Sequence, residues 1–292
     1  MHYVTFALIV LIWGSNFILM KKGTEQFSAA GVAAGRLVSG TLFLLVVLAL
    51  ARRSKSGESS PPLPWRLILF CSVVGYAWPY VIQPVLVARH GSAFIGLSVS
   101  FVPLLTILVS IPMLGVYPSP QQVFGVVGAL VCIAGLMWDG LERSIPLIDL
   151  VYAFSVPLSY AIVNTIVRRE MRQLSAVTLS ACLLGIACGT IVPLALATPS
   201  PTPPPDSSLV VSMTAIAILG LLGTGWSTIA FNRLIQSHGP LFAGMTTYLV
   251  PLGALLWGWL DRETVTPLQL ACLIGVLAMV ALTQISAGRI VR

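Results

Sequence analysis

Apolar residues run through this chain in long stretches, near 3–21, 29–51, 65–88, 92–114, 120–138, 147–167, 175–197, 209–232, 241–260 and 267–286. A bilayer core about 30 Å thick takes roughly 20 apolar residues per helix. The pattern therefore predicts an all-α integral membrane protein with ten spans. Most connections are a handful of residues, so consecutive helices are expected to pack as antiparallel neighbours. Two breaks are longer: a polar linker at 54–62 (SKSGESSPP) and a polyproline-like strap at 198–206 (TPSPTPPPD).

The polar and aromatic positions repeat. Residues 75–96 can be laid on 223–244 without a gap, at a constant offset of 148. Gly75 then meets Gly223, Trp78 meets Trp226, Leu86 meets Leu234, and His90-Gly91 meets His238-Gly239. Phe94 and Gly96 meet Phe242 and Gly244, and the same offset carries Pro103 onto Pro251, Asn16 onto Asn164 and Lys21 onto Arg169. The chain is a duplication, with halves at 1–146 and 147–292. Five spans in each half send the second copy into the membrane inverted. Two inverted five-helix repeats around a central cavity are the architecture of many secondary transporters, with the solute near the midplane.

Composition fits a life in lipid: 57% of the 292 residues are hydrophobic, only 9% are charged, and mean hydropathy is +0.95. Soluble proteins carry about a quarter of their residues charged. The net charge of +7 does not point to nucleic acid, because the basic residues sit in short loops between apolar runs. With the N-terminus inside, ten of them are cytoplasmic and five are outside, Lys21, Lys22, Arg89, Arg143 and Arg262. Both termini are thus expected in the cytoplasm. The first run lacks a basic n-region and a cleavage site, so it is expected to be retained. The five cysteines all lie in apolar runs without a CxxC pair, which argues against a disulfide or metal framework.

Polar side chains inside hydrocarbon need a reason. Asn16 in the first run and Asn164 in the sixth can hold the ammonium or carboxylate of a zwitterion, or can bond a neighbouring helix for about 0.6–2 kcal/mol. The third run carries Tyr76, Trp78, Pro79, Tyr80, Gln83 and Pro84. Its prolines predict a kink, and aromatic faces beside freed carbonyls suit a small amine-bearing solute. The eighth run has Gly220, Gly223 and Gly225 before Trp226, able to bend or pack closely. Both tryptophans lie well inside their runs, which favours a cavity or gate, although a large packing side chain is the plainer alternative. Pro103 and Pro251 predict kinks in the fourth and ninth runs, with Tyr248 near the second. His90-Gly91 and His238-Gly239 predict left-handed helix caps, each His facing the last carbonyls. Arg36 lies about 7 residues into its run and is expected to snorkel outward, with Glu25 as partner. No Asp or Glu lies deep in a run, which disfavours tight ion coupling. There is no P-loop, no HExxH and no catalytic cluster, so neither an enzyme, a cofactor nor a metal is expected.

These residues carry a resemblance. Trp13-Gly14-Ser15-Asn16-Phe17, Arg36, and the Pro103 and Pro251 runs each followed by a Gln-led run (Gln121-Gln122…Gly125…Gly128; Gln269…Gly275) resemble the drug/metabolite transporter superfamily in its EamA-type branch. The resemblance covers essentially the whole chain. It implies a basket of ten helices and export of small metabolites, and is nearest to bacterial inner-membrane exporters of aromatic and neutral amino acids. Such proteins often carry an acid after the fourth and ninth helices; here Leu114-Gly115-Val116 lacks it, whereas Asp261 and Glu263 are present. The expectation is an amino-acid exporter without tight ion coupling, acting as a monomer on a small-molecule substrate in the bilayer. Its substrate contacts would be Asn16, Trp78, Tyr80, Gln83, Asn164, Trp226 and Tyr248, with Pro79, Pro84, Pro103, Pro251 and Gly223 at kinks or gates. A multidrug or sugar-metabolite carrier, a proton-coupled antiporter, and a membrane scaffold or lipid-modifying enzyme are the competing readings.

Overall fold

The computed structural model describes residues 2–54, 62–115, 119–142, 145–244, 246–262 and 266–290. Most of the 54–62 linker, and Glu263, lie outside them. Among the described residues the chain is helical throughout, with no strand. In order come α1 (His2–Thr24), α2 (Ala29–Ser54), α3 (Trp65–Ser72), a π-helical segment (Val73–Ala77), α4 (Trp78–His90), α5 (Ser92–Ser98), a 3₁₀ turn (Val99–Phe101), α6 (Val102–Leu114) and α7 (Pro120–Glu142). The second half follows with α8 (Leu147–Glu170), α9 (Ala176–Ala197), α10 (Leu209–Gly220), a second π-helical segment (Leu221–Trp226), α11 (Ser227–His238), α12 (Pro240–Gly244), α13 (Thr246–Leu260) and α14 (Pro267–Ile290). Among the described residues, seven helical stretches are long and apolar enough to cross a membrane, against the ten predicted: Val4–Thr24, Ala29–Ala51, Trp65–His90, Ile95–Leu114, Leu147–Glu170, Ala176–Ala197 and Leu209–His238. The other predicted runs fall on α7, α12–α13 and α14, where Pro267–Met279 forms a shorter apolar stretch.

The irregularities recur at the sequence offset. The two π segments begin at Val73 and Leu221, 148 residues apart. A π turn inserts one residue into the helical ladder and often marks a functional place. Proline alone does not cause it here. Pro79 follows the first segment within α4, but no proline stands near the second. Both segments contain a glycine at the matched place, Gly75 and Gly223, and both glycines sit against another helix. A Cβ on Gly75 would lie 2.8 Å from the Val163 side chain, and one on Gly223 would lie 2.3 Å from Asn16 Oδ1. In the second segment hydroxyls take up carbonyls of the lengthened turn: Thr224 Oγ1 donates to Leu219 O at 3.0 Å, and Ser227 Oγ donates to Leu222 O at 2.7 Å.

The predicted left-handed caps are corrected. Gly91 (φ 86°, ψ 166°) and Gly239 (φ 91°, ψ 164°) have positive φ, but with extended ψ, a region essentially confined to glycine. One residue thereby turns α4 into α5 and α11 into α12. His90 Nε2 pairs with Asp149 Oδ2 at 2.7 Å, beside the Arg89–Asp149 bridge at 3.0 Å, and so ties the end of α4 to the start of α8. His238 meets Ser237 Oγ at 2.7 Å and lies 5.0 Å from the Phe242 ring. Pro103 follows the 3₁₀ turn in the first turn of α6, where a missing N–H costs nothing; Pro84 and Pro251 lie inside α4 and α13.

The halves interlock. α1 packs on α10 and α13, and its counterpart α8 packs on the 3₁₀ turn before α6 and on α6 itself. α2 lies against α9 and α10, while α9 lies against α2 and α3. Exchanging the halves leaves the packing of α2 and α9 nearly unchanged, whereas α1 leans on α10 far more than α8 leans on α3. Close approach depends on small residues, as expected where lipid offers no hydrophobic drive for helices to associate. Gly14 and Gly253 bring α1 and α13 backbone to backbone, a Cβ on Gly253 lying 2.8 Å from Gly14 Cα. α7 and α14 pack chiefly on each other. Their joint is polar: Thr266 Oγ1 and Gln269 Nε2 donate to the buried Asp139 carboxylate at 2.8 and 2.9 Å. Thr266 and Gln269 also form a reciprocal capping box at the start of α14, with N···O distances of 3.1 and 3.2 Å.

Candidate functional site

A cavity of about 80 Å³ lies where α1, α2, α4, α8, α11 and the two π segments converge. Its wall is made of matched pairs. Asn16 on α1 and Asn164 on α8 both line it, buried to 8% and 7% exposure. So do Gly75 and Gly223 from the π segments, Tyr80 and Thr228, Gln83 and Phe231, Val99 and Thr247, and Val102 and Val250. Each pair is 148 residues apart, so each repeat presents the same backbone positions to the same space.

The pairs differ in chemistry. The first repeat supplies Tyr76, Tyr80 and Gln83, with the Tyr76 and Tyr80 rings edge to face at 5.8 Å. The second supplies Thr228 and Phe231, and Phe231 packs on Trp13 at 4.7 Å. Trp13 Nε1 donates to Gly223 O at 3.2 Å, locking α1 to the second π segment. Asn16 Oδ1 is buried and has no hydrogen-bond partner. A buried carbonyl oxygen left without a donor costs free energy, about 1–3 kcal/mol.

Arg36 overturns its predicted placement. It does not snorkel, and Glu25 pairs with Lys22 at 2.9 Å instead. The Arg36 side chain is 3% exposed and lines the cavity. Its Nε donates to Thr224 Oγ1 at 3.1 Å, Nη1 stands 3.7 Å from Met20 Sδ, and the guanidinium carbon lies 3.8 Å above the Tyr80 ring centroid. The physical reason is small-residue packing beside it. α2 meets α10 and the second π segment through Gly40, Gly220 and Gly225, close enough that a Cβ on Gly220 would lie 2.8 Å from Arg36 O. At that depth the side chain turns to a cation–π face and a hydroxyl rather than to distant water.

Two expected contacts lie elsewhere. Trp78 turns away from the cavity. It is 40% exposed, donates to Ser155 Oγ at 2.9 Å and meets Tyr152 edge-on at 5.9 Å. Trp226 lines a second cavity of about 520 Å³ with Thr5, Arg172, Arg233, Gln236 and Ser237. The π turn rotates the side chains after it, so both tryptophans at its C-terminal end leave the face carried by the glycines. Asn16, Tyr80, Gln83, Asn164 and Gly223 do line the central cavity. The side chain of Tyr248 lies outside the described residues. Trp13 and Tyr160 join the wall, as do Thr228 and Phe231, which were not singled out from sequence; the offset pairing of Tyr80 with Thr228 and of Gln83 with Phe231 was a usable signal.

Lys21 Nζ bridges Asp261 Oδ2 at 2.7 Å and Lys22 Nζ reaches Oδ1 at 3.4 Å, tying the end of α1 to the end of α13. Burial raises the Asp261 carboxyl, and the Lys21 and Lys22 ammoniums more than offset this, leaving it below the ordinary carboxylate range. The equivalent end of α8 is held differently. Arg168 Nη1 donates to the Gln236 carbonyl, and Gln236 Nε2 donates to Met171 O and Leu174 O at 3.0 Å each.

A multi-pass helical protein with a buried, two-repeat cavity is a membrane transporter of small molecules in form. The chain belongs to the EamA-like transporter family, whose sequence pattern matches residues 1–138 and again 147–285. A solved structure described only as the crystal structure of a protein is similar in fold over 98% of both chains, with a TM-score of 0.72 at 16% identity. No curated protein matches the chain.

Proposed function

We propose that the protein exports small metabolites, with neutral and aromatic amino acids as its main substrates, by alternating access between two inverted five-helix repeats. On this reading the chain crosses a bacterial inner membrane ten times with both termini in the cytoplasm. The observation that carries it is the cavity wall: matched positions of the two repeats, Asn16 with Asn164 and Tyr80 with Thr228, meet around one space. Interchangeable repeats offer two packings of near-equal energy, and rocking between them exposes one site to either side.

The cavity of about 80 Å³ is smaller than the roughly 300–1,000 Å³ of ligand pockets, so the helices part to admit a solute. The end pairs Lys21–Asp261 and Arg168–Gln236 are then the closures broken in turn. No carboxylate lines the cavity among the described residues, which supports transport without tight ion coupling. The test is flux into proteoliposomes of neutral and aromatic amino acids, a sugar and a cationic dye, with and without a pH gradient. Saturable amino-acid flux that ignores the gradient is the expected result. Flux that requires the gradient overturns the uncoupled mechanism, and flux of the dye alone replaces the substrate class.

A further inference from the structure

Arg36 is the one charged side chain lining the central cavity among the described residues, and carboxylates of the chain are committed elsewhere. Glu25 pairs with Lys22, and Asp261 with Lys21 and Lys22. Asp149 pairs with Arg89 and His90, and Asp139 is held by Thr266 and Gln269. The partners of Arg36 are a hydroxyl, a thioether and an aromatic face, none of them an anion. A guanidinium presents five N–H donors in a planar fork. Thr224 accepts one, and Met20 sulfur is a weak acceptor for another. A cation 97% removed from solvent without a counter-charge is a costly arrangement, and within a membrane such groups mark solute paths.

We propose that Arg36 binds the carboxylate of the transported solute, which makes a carboxylate the required end of every good substrate. The fork of a guanidinium matches a carboxylate with two parallel hydrogen bonds. The Tyr80 ring, 3.8 Å from the guanidinium carbon, holds the group from one side. Asn16 Oδ1, the buried acceptor with no donor, takes an N–H of the α-ammonium. Trp13 and Phe231 form the apolar part of the wall and receive the side chain. The second repeat has Leu184 at the place of Arg36, buried among apolar neighbours, so the site is polarised and binds its anionic end in one orientation.

This inference rests on the reading of the central cavity as the transport site, and its test separates the two. The full-length protein in proteoliposomes is loaded with labelled phenylalanine. Unlabelled phenylalanine, phenylalaninamide, phenethylamine and 3-phenylpropanoate then compete for uptake. Phenylalanine and 3-phenylpropanoate compete, while the amide and the amine are weaker by about tenfold or more, the difference a charge-assisted bidentate pair makes. Arg36→Gln removes that preference, and Arg36→Lys, which keeps the charge without the fork, restores part of it. If the amide competes as well as the amino acid, the assignment of Arg36 is overturned while the transport reading stands. Retention of the wild-type preference by folded Arg36→Gln protein has the same consequence. If no member of the series is carried, the transport reading falls and the inference with it. The competition on unmodified protein decides the matter even if Arg36→Gln fails to fold.

Discussion

The two walls of the central cavity are built on the same backbone and filled with different chemistry. In each repeat a helix breaks into a π turn at a matched glycine and resumes toward a one-residue glycine joint. On the first wall that frame presents two tyrosines, a carboxamide and a guanidinium from the neighbouring α2. On the second it presents threonine and phenylalanine. In the second repeat Asn232 donates to Ser180 at 3.0 Å between α11 and α9 and also bonds Tyr76 of the first wall; the first repeat has Pro84 and Val32 at the places of Asn232 and Ser180. Duplication thus preserved a pair of equivalent helix irregularities, which the proposed alternating access would use as hinges. Divergence made the two walls chemically unlike, as the proposed recognition of a solute with unlike ends would require.

The sharpest way to break this comparison is to exchange residues between the repeats. Gly220 occupies the position that Ser72 holds in the first repeat, and a Cβ there meets Ser39 and the Arg36 backbone. Gly220→Ser is therefore expected to destabilise the protein by about 3 kcal/mol or more through overpacking. Ser72→Gly is expected to cost about 1 kcal/mol. Thermal unfolding of the purified protein in detergent checks both, and equal losses would mean that the α2–α10 contact is looser than its geometry.

A second exchange tests the cavity itself. Phe231→Gln copies Gln83 into the second wall and removes the ring that packs on Trp13. Affinity for aromatic solutes is expected to fall about tenfold, since burial of an aromatic side chain contributes about 1.5–3 kcal/mol. Asn16→Ala and Asn164→Ala are each expected to weaken binding a further few-fold, about 1 kcal/mol for a neutral hydrogen bond. A competition series measures all three, and unchanged inhibition constants would remove these side chains from the site.

Trp78 sharpens the contrast by its expected silence. Because it bonds Ser155 outside the cavity, Trp78→Ala is expected to lower stability by about 1 kcal/mol and leave solute affinity within about twofold. A tenfold loss of affinity would return it to the site.

The smallest effect concerns the ion pair between the ends of α1 and α13. Asp261 is held below its ordinary value, so it stabilises the α1–α13 closure above the unfolded carboxylate range. That contribution is lost as pH falls through its lowered folded value. Asp261→Asn is expected to lower stability slightly at neutral pH, where the bridge is formed, and to change little at the acid end, so that the profile flattens. A profile identical to that of the parent protein would make the bridge incidental.

How much of this was legible beforehand follows from what each feature depends on. The helical class, the duplication and the pairing of Asn16 with Asn164 are properties of composition and of one constant offset, and both survive in a linear string. Trp78 and Trp226 looked equally internal, but a π turn advances the ladder by one residue, and a local shift of that kind leaves no periodic mark. Only the packed structure could turn them off the cavity. Arg36 shows the same limit more strongly. Its depth along α2 was readable, yet whether a guanidinium reaches outward or folds over Tyr80 depends on how closely Gly40, Gly220 and Gly225 let a helix of the other repeat approach. Periodicity and repetition are written one residue at a time and were determined by the sequence. The direction of a side chain at a helix crossing is set by neighbours about 180 residues away, and the tertiary structure decided it.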